Sequence, residues 1–375
     1  MTDQTIRYGI IGTGMMGREH IRNIKLLPGC EVTALSDPSE AVRGDAFMTA
    51  GNRPTQFADH RELLASGTCD ALVIASPNHT HVDVMRDVLA TNLPVLVEKP
   101  VCTTRQDCAE VLALAAKRDA AVWVAMEYRY MPPVQRLLKE LRAGTAGELK
   151  MMAIREHRFP FLKKVDDWNR FNVNTGGTMV EKCCHFFDLY RLLSGSEPTR
   201  VYCSGSMDVN FRDEAYDGAR PDIIDNGFVI IDFANGTRAM LDLCMFAEGA
   251  YWQETITATG DVARLDAFIP GPARFSPHGQ ERFAEFAVSP RASKIERREV
   301  VHVDEKVLAA GDHHGSTFYQ HEKFAAIVRK NGKHAQSDVE VSLEDGMKAV
   351  VMGLAAEESA RTGLPVDLTQ DDLFH

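Results

Sequence analysis

The chain has 375 residues, 45% of them hydrophobic and 25% charged, and a formal net charge of −11. That length admits two domains with a sizeable core, and those fractions belong to an ordinary soluble protein. The acidic balance speaks against nucleic acid or an anionic membrane as partner, because both select for basic surface.

No apolar run approaches the length of a membrane span. No charged-then-apolar leader precedes the first strand-like run, so no secretion signal is expected. The eight cysteines show no CxxC pair and no regular framework. In a chain of this size that pattern points to reduced thiols and a cytoplasmic location.

A buried strand, Tyr8 to Ile11, runs into Gly12-Thr13-Gly14-Met15-Met16-Gly17. In this spacing the first glycine permits the sharp turn, the second leaves room for a pyrophosphate, and the third lets helix pack closely on strand. The helix that follows, to about Leu27, offers unpaired N–H groups and partial positive charge to phosphates. A second strand, Val32 to Ser36, ends in Asp37, about twenty residues past Gly17, where a ribose-binding carboxylate is expected. Pro38 and Ser39 follow it, with no basic residue nearby in sequence to receive a 2′-phosphate. NAD is therefore favoured over NADP.

A helix over residues 40–50, a short strand near 55–57 and a helix from Asp59 come next. Asp70 to Ala75 reads as a strand buried on both faces. It leads into Ser76-Pro77-Asn78-His79-Thr80-His81 at the carboxyl edge of the sheet, where ligands of such sheets bind. Asn78 is the expected N-cap of the next helix, with both histidines in its first turn and neutral there. The strand Leu93 to Val97 ends in Glu98-Lys99-Pro100. Pro100 biases Lys99 away from helix. A lysine so placed can donate to a substrate oxygen.

A helix over 105–117 and a strand over 121–125 complete a βα-alternating region, the mark of a parallel sheet with crossover helices. Pro132-Pro133 mark a change of architecture. Beyond them, strands are expected at 148–159, 200–209, 226–233, 237–246, 254–259 and 297–303, with a hairpin at Asn235-Gly236. Residues 210–224 and 270–296 read as loops. Two helices, 316–329 and 343–362, close the chain.

The run Thr175-Gly176-Gly177 to Asp188 reads as one helix to about Leu193. Glu181, His185 and Asp188 then share a face, an arrangement that orients and tunes an imidazole base. Cys183, Cys184 and His185 do not make a zinc site, since neighbours on a helix diverge and no second cysteine cluster exists. No metal is expected. Trp168-Asn169-Arg170-Phe171-Asn172 supplies an aromatic face and amides suited to a polyol. His313-His314-Gly315 suits either a substrate contact or a cap.

These motifs together resemble the glucose–fructose oxidoreductase / inositol dehydrogenase / MocA family along nearly the whole chain. The resemblance rests on Gly12 to Gly17, Pro77-Asn78 with His81, Glu98-Lys99-Pro100, and the Gly176 to Asp188 run. It implies an α/β Rossmann domain with a parallel sheet at 1–127, and an α+β domain with an open-faced, mostly antiparallel sheet at 128–375. It implies an NAD-dependent oxidation of a secondary alcohol on a sugar or cyclitol, in a homo-dimer or homo-tetramer built through the second sheet. The implied cofactor residues are Gly12, Gly14, Met15, Met16, Asp37, Ser76, Asn78, His81, Glu98 and Lys99. Lys99 and His185 are the implied catalytic pair, with Glu181 at the family's aspartate position. Tyr128, Arg158, Trp168, Asn172 and His185 are the expected substrate contacts. This sequence departs from the family pattern at Glu181, at Cys183 in place of glycine, and at Glu127 in place of a frequent asparagine. Two other readings stay open: a glycosidase or lyase using transient oxidation with retained cofactor, and a nicotinamide-sensing protein without chemistry.

Overall fold

The computed structural model of the chain describes residues 5–272, 282–330 and 335–374. In chain order, β1 (Ile6–Ile11), α1 (Met15–Ile24), β2 (Cys30–Ser36), α2 (Glu40–Ala50), β3 (Thr55–Phe57) and α3 (His60–Ala65) come first. Then follow β4 (Ala71–Ile74), α4 (His81–Leu89), β5 (Val95–Val97), α5 (Arg105–Ala115), β6 (Val122–Val124) and α6 (Pro132–Arg142). The middle of the chain holds β7 (Leu149–His157), α7 (Asn172–Thr175), α8 (Thr178–Glu181), α9 (Cys184–Ser194), β8 (Pro198–Ser206), β9 (Asn226–Phe233) and β10 (Arg238–Cys244). It ends with β11 (Trp252–Gly260), β12 (Ala263–Pro270), β13 (Ala284–Pro290), β14 (Arg297–Val301), α10 (Glu305–Ala310), α11 (Ser316–Arg329), α12 (Leu343–Thr362) and β15 (Val366–Asp367). No helix among the described residues is long and apolar enough to cross a membrane.

The chain divides into two units, Met1–Tyr130 with Asp304–Val350, and Met131–Val303 with Val351–His375. In the first, six parallel strands lie in the order β3-β2-β1-β4-β5-β6. This is the doubly wound order of a dinucleotide fold, whose direction of winding reverses between β1 and β4. Residues of β4, β5 and β6 are buried throughout, which explains their unbroken apolar runs. Helix α11 returns late in the chain to pack on α1 and β1. There Phe324 is fully buried, 6.3 Å ring to ring from Tyr8.

The second unit has nine strands in the order β14-β13-β12-β11-β7-β10-β9-β8-β15. All described pairings are antiparallel except β7 with β10. Alternation sets its faces. In β9, Val229 and Ile231 are buried, while Phe228 and Ile230 are exposed. The hairpin expected at Asn235-Gly236 joins β9 to β10, with Gly236 at φ 83° and Asn235 Oδ1 accepting from the Thr237 N–H.

Three strands (β12, β13 and β15) and two helices (α7 and α10) escaped sequence reading. β12 alternates Ala263, Leu265, Ala267 and Ile269 with Arg264, Asp266 and Phe268, and β13 carries two alanines, so small side chains and charges weaken the apolar signal of both. β13 falls within 270–296, where the sequence predicts loop; residues 273–281 of that stretch lie outside the described residues. Asp266 is tolerated because Arg264 and the Thr257 hydroxyl bind its carboxylate. Helix α10 is announced by Asp304, whose side chain caps Lys306 and Val307.

The core of the second unit holds buried charge. Glu156 of β7 and Glu254 of β11 stand opposite in register, both almost fully buried. Buried Lys182 lies 3.0 Å from Glu156, and Arg158 lies 3.5 Å from it. Lys182 and Arg158 both favour an ionised Glu254, but less than burial and the charge of Glu156 oppose it. Burial, with the charge of Glu156 behind it, pushes Glu254 up to about 8, so near neutrality the pair keeps a proton on Glu254. A carboxyl whose pKa is raised on folding binds more protons folded than unfolded. Its contribution is favourable at low pH and is lost as pH rises from the unfolded value toward 8. Glu254→Gln should therefore match the wild type in thermal melts near pH 5 and exceed it by a few degrees at pH 8. Melting curves that run parallel across that range would refute this account.

Candidate active site

The glycine turn is shaped by its neighbours. Gly12 sits at φ 85°, and a Cβ there would lie 2.3 Å from the Ser76 amide nitrogen. A Cβ on Gly17 would lie 2.2 Å from the carbonyl oxygen of Gly12. Gly14 differs: its φ is −64°, and a Cβ would meet no protein atom within 4 Å. Protein packing thus explains Gly12 and Gly17, whereas the space beside Gly14 is open to a ligand. Gly14 is also the N-cap of α1 and offers no side-chain cap, so the amides of Met15 and Met16 face outward from the helix start.

Asp37 closes this loop. Its Oδ2 accepts from the Thr13 N–H at 2.9 Å and its Oδ1 from the Ser39 N–H at 3.0 Å. One expectation is corrected here. A basic group does stand near Asp37, because Arg43 in α2 donates to the Asp37 carbonyl oxygen. Helix periodicity folds residue 43 back over the strand end, which linear spacing hides.

At the end of β4, Asn78 opens a 3₁₀ turn, Asn78–Thr80, and does not cap α4. That helix starts after Thr80, whose hydroxyl turns back to Ser76 Oγ and the Pro77 carbonyl. His81 is fully buried, with Nδ1 2.8 Å from Pro100 O and Nε2 3.0 Å from Ser76 O. Burial lowers its pKa, against the opposing pull of those two carbonyls. Its ring therefore serves the backbone of two turns at the sheet edge.

Glu98 and Lys99 leave β5 at that same carboxyl edge. Glu98 is buried, and its Oε1 lies 2.9 Å from Nε2 of His20 in α1. Its Oε2 accepts from the Lys99 backbone N–H at 3.2 Å. Lys99 itself is half-buried. Beyond β6, the Tyr128 ring lies 5.7 Å from that of His313, and His313 contacts Glu19 at 3.2 Å and Glu127 at 3.8 Å. Burial, reinforced by the charge of Glu98, pushes Glu127 up to about 7.

In the second unit, the expectation of one continuous helix through His185 is not met. Lys182 N–H and Cys183 N–H both reach the Thr178 carbonyl. That widened turn ends α8, and α9 starts at Cys184. The segment is anchored at its start by Gly177, at φ 96°, and by Glu357, which accepts from the Met179 N–H at 2.9 Å. It is anchored again by Tyr190, whose hydroxyl accepts from Ile154 N–H and donates to Met240 O. His185 and Asp188 are thereby held, both buried, on α9.

Glu181 has a basic partner. Its Oε1 lies 3.0 Å from Lys164 Nζ, and that ammonium stands 4.4 Å over the Trp168 ring. Lys164, Trp168 and Glu181 thus form one cluster. Arg158 lies 4.3 Å over the Phe159 ring. Asn172 donates through its amide groups to Asp222 and lines a groove of about 500 Å³ with Glu357 and Arg361. Sequence reading missed His20, His321, Lys164 and Lys182. For His20 a signal existed, a histidine one turn into the helix that follows the glycine loop; for the others none did.

Two family models match the chain. One, described as an oxidoreductase family with an NAD-binding Rossmann fold, covers residues 6–126. The other, described as the C-terminal alpha/beta domain of that oxidoreductase family, covers residues 139–368. The rhizopine catabolism protein MocA of Rhizobium meliloti is 27% identical over 289 residues, 76% of this chain and 86% of that protein. An inositol 2-dehydrogenase of Corynebacterium glutamicum (strain R) is 26% identical over 285 residues, 75% of this chain and 77% of that protein. A levoglucosan dehydrogenase solved with NADH and levoglucosan has the same fold, with a TM-score of 0.79 at 18% identity, covering 98% of this chain and 100% of that one.

NAD is the cofactor of this nucleotide-binding unit, and the open space at Gly14 fits it. Removing the Asp37 carboxylate deletes a charged acceptor and leaves Arg43 in place. Asp37→Ser should lower kcat/KM with NAD by roughly ten- to hundredfold and raise it with NADP. Steady-state kinetics with both dinucleotides checks this, and an unchanged ratio between them would exclude the role given to Asp37.

Proposed function

The chain belongs to the Gfo/Idh/MocA oxidoreductase family, and from that footing we propose that it oxidises a secondary alcohol of a sugar, sugar derivative or cyclitol with NAD. The observation that carries this reading is the joint position of two features at one sheet edge. The open glycine cradle at Gly14 follows β1, and Lys99 follows β5, at the carboxyl ends of parallel strands. The inositol and levoglucosan relatives support the choice of substrate class.

In this reading Gly12, Gly14, Met15 and Met16 hold the pyrophosphate and Asp37 the ribose. Ser76, Asn78, His81 and Glu98 build the wall of the same edge. Lys99 donates to the reacting oxygen and stabilises the alkoxide that develops there. His185 takes the hydroxyl proton, a role suited to an imidazole. NAD, when bound, supplies the hydride acceptor. Glu181, steadied by Lys164, receives a further hydroxyl, and Trp168 offers a flat apolar face to the sugar ring. Tyr128, Arg158 and Asn172 complete the substrate contacts.

We place a second copy of the chain on the outer face of the nine-stranded sheet. There Tyr202, Ile230 and Met240 are exposed and in register across β8, β9 and β10. None of the eight cysteines, all within the described residues, forms a disulfide, which suits a reducing cytoplasm.

The test is a panel of cyclitols, aldoses and glycosides with NAD, followed by NADH absorbance, for the wild type, Lys99→Ala and His185→Ala. Each variant should still bind NADH and lose about a hundredfold or more in kcat. Unchanged turnover in either removes that residue from the mechanism. Glycoside cleavage without net NADH would replace the dehydrogenase by the lyase route. Tight NADH binding with no turnover on any polyol would leave a sensor.

A further inference from the structure

Behind Lys99 lies a chain of buried side chains drawn from three distant segments. His321 of α11, His20 of α1 and Glu98 after β5 are joined end to end. His321 Nε2 is 2.8 Å from His20 Nδ1, and His20 Nε2 is 2.9 Å from Glu98 Oε1. Both histidines are fully buried, and Glu98 is nearly so. Tyr8 packs edge-on against His321 at 5.9 Å. None of these imidazoles has a place in the chemistry proposed above.

The direction of the chain follows from its far end. Among the described residues, His321 Nδ1 meets no hydrogen-bond partner. A buried N–H without an acceptor costs more than a lone pair without a donor, so Nδ1 carries no proton. His321 then donates from Nε2 to His20 Nδ1, and His20 donates from Nε2 to Glu98. Burial holds the pKa of His321 well below its ordinary value, in keeping with a neutral ring. Every donor in the line points toward the carboxylate.

We propose that His20, backed by His321, is a positioning residue for Lys99: it grips Glu98 Oε1, leaving Oε2 to fix the backbone amide of Lys99. The proposal rests on the role given to Lys99 above. The groups around Glu98 are His20 from α1, Lys99 beside it, His313 ahead of α11, Glu127 beyond β6, and His81 in α4. Burial works against the charge of Glu98, yet the hydrogen bond from His20, with the charges of Lys99 and His313, holds its pKa below the ordinary value. Without the His20 donor, a buried carboxylate takes up a proton. The ammonium of Lys99 then loses the attraction of the Glu98 charge.

Competitive amine labelling of the full-length protein, read peptide by peptide in a mass spectrometer, tests this without any substrate. Lys139, on the exposed side of α6, serves as internal reference. His20→Leu should label Lys99 at least about threefold faster than the wild type. Glu98→Gln should do the same. His20→Gln, whose amide N–H can replace the ring Nε2 donor, should stay near the wild-type rate. Wild-type labelling of Lys99 in a folded His20→Leu protein overturns the proposal, as does equal acceleration in His20→Leu and His20→Gln, which marks a merely structural role. Should His20→Leu not fold, His321→Leu decides: faster labelling of Lys99 supports the proposal, and the wild-type rate overturns it. Failure here is distinct from failure to oxidise any polyol, which would sink the reading of the active site itself.

Discussion

The nucleotide-binding unit depends on one close approach, that of the Gly12 turn to the backbone of Ser76. Any Cβ at Gly12 would strike the Ser76 amide. Because β1 and β4 are neighbours and parallel, their two carboxyl-end loops must pass each other within van der Waals distance. That contact opens the switch point between the two halves of the sheet and aims the start of α1 into it. Asp37, Ser76, Glu98 and Lys99 all take their places from strands that end along this edge.

A second theme is the handling of buried charge. The first unit keeps Glu19, Glu98 and Glu127 in its interior and sets imidazoles beside them. The second keeps Glu156 and Glu254 around Lys182. Burying an ion is costly unless partners surround it. Glu98, gripped by an imidazole, is held ionised; burial and a neighbouring carboxylate push Glu127 and Glu254 toward the neutral form. Such groups are concentrated where a fold performs work and are sparse elsewhere.

Local backbone geometry is also held by charge near Trp168. Asp166 and Asp167 both adopt left-handed conformations, at φ 54° and 49°. Two consecutive non-glycine residues in that region carry strain of roughly 1–3 kcal/mol each. The loop holds it because Lys164 ties the segment to Glu181, and Asn174 and Asn169 bond to its backbone.

The parallel sheet, the glycine turn, the strand-ending Asp37 and Glu98-Lys99 were legible in the sequence, because each depends on neighbours within a few positions. Alternation and apolar runs report burial directly, and Asn235-Gly236 dictates its own turn. The return of 304–350 to the first unit, the break between α8 and α9, Arg43 over Asp37 and the line from His321 to Glu98 were not legible. The first and the last arise where residues far apart in the chain meet, as His20 and His321 do across 301 positions; the other two are short-range, but apolar periodicity does not report them. A sequence states what a side chain is and how its nearest neighbours repeat; which distant partner satisfies a buried proton or charge is decided only when the tertiary packing closes around it.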